Sequence, residues 1–101
     1  MRWDGAFWAG MAAVLAYGAV QDTRYERGEA LAKYLILAAA SNDIMQFRRL
    51  LSPLGIKDDA TIYVYWSNGR GAAAAVDAYK RGISRDFTAF TSFKKWCVSL
   101  Y

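Results

Sequence analysis

The sequence predicts an α+β domain that is predominantly helical: about five helices packed with one small antiparallel β element, a strand near 61–66 with 95–101 as its candidate partner. Three observations lead there. Apolar residues recur every three to four positions through most of the chain, the spacing of one helix face. Thr61-Ile62-Tyr63-Val64-Tyr65-Trp66 is an unbroken run of β-branched and aromatic residues, the composition of a strand. The 101 residues are 55% apolar with one cysteine, enough for a single compact domain, 1–101, whose core needs no disulfide.

Residues 4–19 read as a first helix rich in small side chains. Gly5, Ala9 and Ala13 repeat at i,i+4, as do Ala12 and Ala16, so another helix can approach that face closely. Residues 6–20 carry no charge, but 15 residues at a rise of ~1.5 Å span about 22 Å, less than the roughly 30 Å of membrane hydrocarbon. No membrane span is expected. Asp4 also offsets Arg2, against the positive start of a signal peptide.

Thr23-Arg24-Tyr25-Glu26 matches a capping box, in which the hydroxyl and the carboxylate each satisfy a backbone N–H of the first turn. A second helix follows to residue 40, with Leu31, Leu35 and Ala38 on its inner face. Ser41-Asn42-Asp43 supplies cap residues for a third, whose inner face is Ile44, Phe47 and Leu51 and which Pro53 stops. After a loop over 54–60 comes the strand, with Ile62, Val64 and Trp66 on one face. Ser67-Asn68-Gly69 reads as a turn, 71–81 as an alanine-rich helix ended by Gly82, and Ser84 as the cap of a helix carrying Phe87, Phe90 and Phe93. In the tail, Trp96, Val98 and Leu100 alternate with Cys97 and Ser99, which suits a second strand.

Histidine is absent. Imidazole is the usual base at neutral pH and the commonest metal ligand, so Ser–His–Asp and Cys–His nucleophiles and Cys/His zinc sites cannot be built. A lone cysteine forms no internal disulfide, which suits a reducing, cytoplasmic setting. The carboxylate pairs are Glu26 with Glu29, beside Arg24, Arg27 and Lys33, and Asp58 with Asp59 in a loop; both have ordinary roles at a capped helix end or in local backbone bonding. No enzyme activity and no cofactor or metal is expected.

Two local patterns resemble known sites. Gly69-Arg70-Gly71-Ala72-Ala73-Ala74 matches G-x-G-x-x-A after a strand, but about 30 residues remain for a dinucleotide fold that needs further strands and an acidic residue. The surviving version is a lone phosphate or carboxylate held by backbone amides and Arg70. Ile62-Tyr63-Val64-Tyr65 resembles the tyrosine strand of the GIY-YIG nucleases over four residues; Thr61 stands where their glycine would, no second motif follows, and no activity is carried over.

The net charge of +4 is concentrated. Residues 1–20 and 21–59 each sum to zero, whereas residues 60–101 hold Arg70, Lys80, Arg81, Arg85, Lys94 and Lys95 against Asp77 and Asp86. With Trp66 and Trp96, these cations are the candidate partner-binding residues. Basic side chains attract acidic partners, and Trp, Tyr and Arg dominate protein contacts. The reading is a non-enzymatic protein-binding module, a regulator or inhibitor of the type that phages and mobile elements direct against defence systems, covering an acidic surface of a larger protein or nucleoprotein complex. The alternative is nucleic-acid binding through the same residues, including a helix-turn-helix version using Arg48 and Arg49. A homodimer through the first helix or a strand edge is a third expectation.

Overall fold

The computed structural model describes residues 24–101. The helix expected over 4–19, its contact face and the Thr23 cap lie outside the described residues. Within them the chain forms α1 (Arg24–Ala40), α2 (Ile44–Leu51), a 3-10 turn (Ser52–Leu54), α3 (Asp59–Lys80) and α4 (Thr88–Val98), with no strand. The expected α+β class is therefore corrected to an all-helical one over this region.

α1 packs on each of the other three α-helices. Its Leu31, Leu35 and Ile36 meet Phe47 and Leu51 of α2, Ile62 and Tyr65 of α3, and Phe93 and Cys97 of α4 in one buried cluster. At ~1.5–3 kcal/mol for each large apolar side chain buried, this cluster is the main favourable contribution to the fold. α1 ends as expected at Ser41-Asn42-Asp43: Asn42 takes the left-handed conformation at φ 55°, and Asp43 donates its N–H back to the Ala38 carbonyl at 2.8 Å, a Schellman closure. Asp43 then caps α2, its carboxylate accepting from the Gln46 N–H at 3.0 Å.

The main departure is α3. One 22-residue helix replaces the expected loop end, strand, turn and alanine helix. Asp58 starts it by accepting from both the N–H and the hydroxyl of Thr61, each at 3.0 Å. Ile62, Tyr65, Gly69, Ala72 and Ala73 are buried, a spacing of three and four, whereas Tyr63 and Val64 are exposed. Putting β-branched and aromatic residues in a helix costs at most ~0.7 kcal/mol each, less than the burial that the helical spacing secures. Gly69 serves as a packing residue here: a Cβ on it would lie 3.2 Å from the Phe47 ring and 3.4 Å from that of Phe93. Asn68 turns its side-chain amide to the Val64 carbonyl at 2.8 Å, a bond one helical turn back. The nucleotide-type turn and the nuclease-like strand both dissolve into this helix.

The tail is helical too. Phe93 and Cys97, four apart, are both buried, and Trp96 stacks on Tyr65 with centroids 3.9 Å apart and planes at 15°. The alternation that suggested a strand is not the one the core uses. Ser84 does not cap α4 either. Its hydroxyl accepts from the Asp86 N–H at 3.1 Å, and Asp86 accepts from the Thr88 N–H at 2.9 Å and hydroxyl at 2.7 Å, which fixes where α4 begins.

Candidate functional site

α3 and α4 are antiparallel neighbours: Tyr65 meets Trp96 near one end and Tyr79 meets Phe87 at the other, with centroids 4.7 Å apart. Fourteen residues of helix, about 21 Å, separate those levels, and this spacing divides the expected site. Lys80, Arg81 and Arg85 sit at the corner where α3 turns into α4. Lys94 and Lys95 sit toward the far end of α4, and Arg70 lies in the middle of α3.

Partners divide these residues further. Arg70 donates to the Asn42 side chain at 2.9 Å and lies 5.8 Å from the Trp66 ring centre; Trp66 meets Phe47 edge-on at 5.1 Å. Lys94 is half-buried, 3.1 Å from the Glu29 carboxylate and 5.6 Å from the Phe90 ring centre. Burial pushes the Glu29 carboxyl up, but the Lys94 bond and charge, a Tyr25 bond and the Lys33 charge outweigh it and hold Glu29 below the ordinary range. Burial likewise opposes charge on Lys94, and Glu29 outweighs it, holding the amine above its ordinary range. Lys94 is thus a structural tie between α1 and α4. Trp96 is committed to Tyr65, and Lys95 is exposed in the last turn of α4.

The corner keeps three of the expected cations beside apolar surface. Gly82, at φ 72°, closes α3 as expected: its N–H reaches the Tyr79 carbonyl at 3.0 Å and that of Ile83 reaches Ala78 at 2.9 Å. A side chain with a Cβ is strained at that φ. The closure leaves Ile83 73% exposed, between Tyr79 and Phe87 along the chain, and those two rings, which touch each other, are exposed as well. Arg81 pairs with Asp77 at 3.1 Å, and Lys80 and Arg85 are exposed. Sequence reasoning passed over Ile83, although a large apolar residue between Gly82 and Ser84 in a connection was a usable signal. Of the three phenylalanines at helical spacing, only Phe93 is buried, and Phe87 is exposed.

A second apolar surface lies at the other end of α3. Ile44, Arg48, Asp59, Ile62, Tyr63 and Trp66 line a groove of about 470 Å³ between α2 and α3. Tyr63 is 69% exposed there, while Met45 and Val64, also exposed, lie outside the groove lining. Arg48 is held by Asp59 at 2.8 Å, and Asp58 is the α3 cap, so Asp58 and Asp59 each have a partner of their own. The helical course of 69–74 places those backbone amides inside α3, where they offer no phosphate loop. Cys97 is buried, its thiol pushed up to about 12. Among the described residues no three His, Cys, Asp or Glu side chains are grouped to hold a metal, and no helix is long and apolar enough to cross a membrane. No known family, curated protein or solved structure matches the chain.

Proposed function

We propose that this chain is a non-enzymatic protein-binding module, a regulator or inhibitor that covers an acidic surface of a larger protein or nucleoprotein complex through the α3–α4 corner. The observation that carries the reading is Ile83, 73% exposed in the same α3–α4 connection as the touching, exposed rings of Tyr79 and Phe87 and within three residues of Lys80, Arg81 and Arg85. Burying such a side chain in a partner is worth ~1.5–3 kcal/mol, and flanking guanidinium and ammonium groups add orientation and encounter rate toward an acidic surface. A cytoplasmic setting belongs to the same proposal and suits a single buried thiol.

Direct nucleic-acid binding is the second reading. Arg81 is already paired with Asp77 and Lys94 with Glu29, leaving few cations in one place to neutralise phosphates, which weakens it. The test is capture from nuclease-treated native lysate by the immobilised protein and by Ile83→Asp and Arg85→Glu variants, with quantitative mass spectrometry. A defined set of proteins whose recovery drops about tenfold or more in both variants, equivalent to ~1.4 kcal/mol, supports the proposal. Equal recovery with all three proteins, or recovery that disappears with nuclease treatment, rejects it.

A further inference from the structure

We infer that Thr61–Trp66, helical throughout in the native protein, is a latent cross-β segment, through which chains of this protein stack on one another once the first half of α3 opens. Segments that stack in this way are about six or seven residues long, with high β-propensity, low net charge, no proline and few glycines. Thr61-Ile62-Tyr63-Val64-Tyr65-Trp66 meets every condition: three residues are β-branched, three are aromatic and none is charged. The stretch from Ala60 to Gly69 carries no charge either, and it includes Asn68, whose amide can stack in a ladder as the rings do.

What keeps this segment helical is tertiary packing. Threonine, isoleucine, valine, tyrosine and tryptophan all rank below alanine as helix formers, and the mid-helix glycines Gly69 and Gly71 rank lower still. Against that preference stand Ile62 and Tyr65, each 3% exposed in the cluster that α1, α2 and α4 complete, and Trp66, edge-on to Phe47. These contacts are all with residues distant in the chain, so local opening removes the reason for the helix and leaves the preference for extended backbone. The second half of α3 differs. Ala72 to Ala75 is unbroken alanine, the best helix former, and keeps its preference without partners. In the native protein the backbone N–H and C=O groups of 61–66 are paired along α3 and template nothing. Opening frees them for other chains.

The full chain, incubated at its denaturation midpoint and followed by thioflavin fluorescence and fibre diffraction, tests this beside Tyr63→Lys, Val64→Lys and, as a control, Met45→Lys. All three positions are exposed, so the native fold should survive, which circular dichroism checks for each. Tyr63 and Val64 fall on opposite faces of the extended segment, so the two variants place a charge on either side of it. Holding every protein at its own midpoint removes differences in native stability. Wild type and Met45→Lys should give thioflavin-positive fibres with the spacing of about 4.7–4.8 Å between stacked chains. Tyr63→Lys and Val64→Lys should lose both signals. A wild type without fibres, fibres of Tyr63→Lys and Val64→Lys like those of wild type, or the same loss in Met45→Lys overturns the inference. The reading of the α3–α4 corner is judged separately, by lysate capture with the native protein.

Discussion

Adding a single methyl group to three helical glycines should move stability in different directions, because the space around each glycine differs. A Cβ on Gly28 would fall on the Val98 Cα and within 2.8 Å of the Val98 Cγ2 and backbone N. Ordinary carbon contacts are near 3.5–4.0 Å, so α1 and α4 would have to part by about 1 Å at their closest approach. Backbone and a stiff β-branched side chain yield less readily than a flexible chain end. Overpacking of this kind costs ~1–3 kcal/mol, against a gain of ~0.5–1 kcal/mol from replacing glycine in a helix. The expected net loss for Gly28→Ala is ~1–2 kcal/mol, which for a domain of this size lowers Tm by roughly 5–15 °C. At Gly71 the same methyl meets nothing within 4 Å, so Gly71→Ala should gain ~0.5–1 kcal/mol and raise Tm by roughly 2–8 °C. Gly69→Ala, 3.2 Å from Phe47, should fall between them. Thermal unfolding followed by circular dichroism reads all three. A Gly28→Ala protein at least as stable as wild type would refute the close α1–α4 approach, and a destabilised Gly71→Ala protein would refute the open face on α3.

Three further outcomes are expected. Glu29 is held low and Lys94 high, so their contribution, about 1 kcal/mol, is complete between the ordinary values of about 4.3 and 10.4. It is lost as pH falls through the depressed Glu29 value or rises through the raised Lys94 value; the Tm gap between wild type and Glu29→Gln should therefore narrow on acidification, and parallel curves would contradict it. Cys97, fully buried with a thiol pushed up to about 12, should resist a thiol reagent in the native protein and react only at the rate set by unfolding, read as absorbance change against denaturant concentration. Asp58→Ala should cost ~1 kcal/mol by removing the α3 cap, and Asp58→Asn should recover most of it, both measured as denaturation midpoints.

The parts of the fold legible in the sequence were those decided by neighbours in the chain. The cap residues at Ser41-Asn42-Asp43 and Gly82 as helix end depend on backbone geometry within a few residues. The run 61–66 was misread for the complementary reason. Its composition favours a strand by a few tenths of a kcal/mol per residue, but Phe47, Phe93 and α1, distant in sequence, bury Ile62, Tyr65 and Gly69 along a helical stripe. A spacing of three and four runs from Ile62 through Tyr65 and Gly69 to Ala72 and was there to be counted; it was hidden by the turn-like Ser67-Asn68-Gly69 in its middle. The tail failed the same way, with Phe93 and Cys97 carrying the helical period across an alternating pattern.

The candidate site divides along the same line. A projection such as Ile83 is a local event, made by one glycine and the closing turn beside it, so its residues are contiguous and readable in principle. A groove is not: Ile44 and Arg48 approach Tyr63 and Trp66 only because α2 and α3 pack together. Charge summed over 42 residues treated six cations as one surface, and an antiparallel helix pair necessarily carries such a segment to both of its ends. Lys94, one of the six, is engaged inside the fold by Glu29 beside the Phe90 ring, since aromatic rings beside a cation mark a helix–helix tie as readily as a recognition surface.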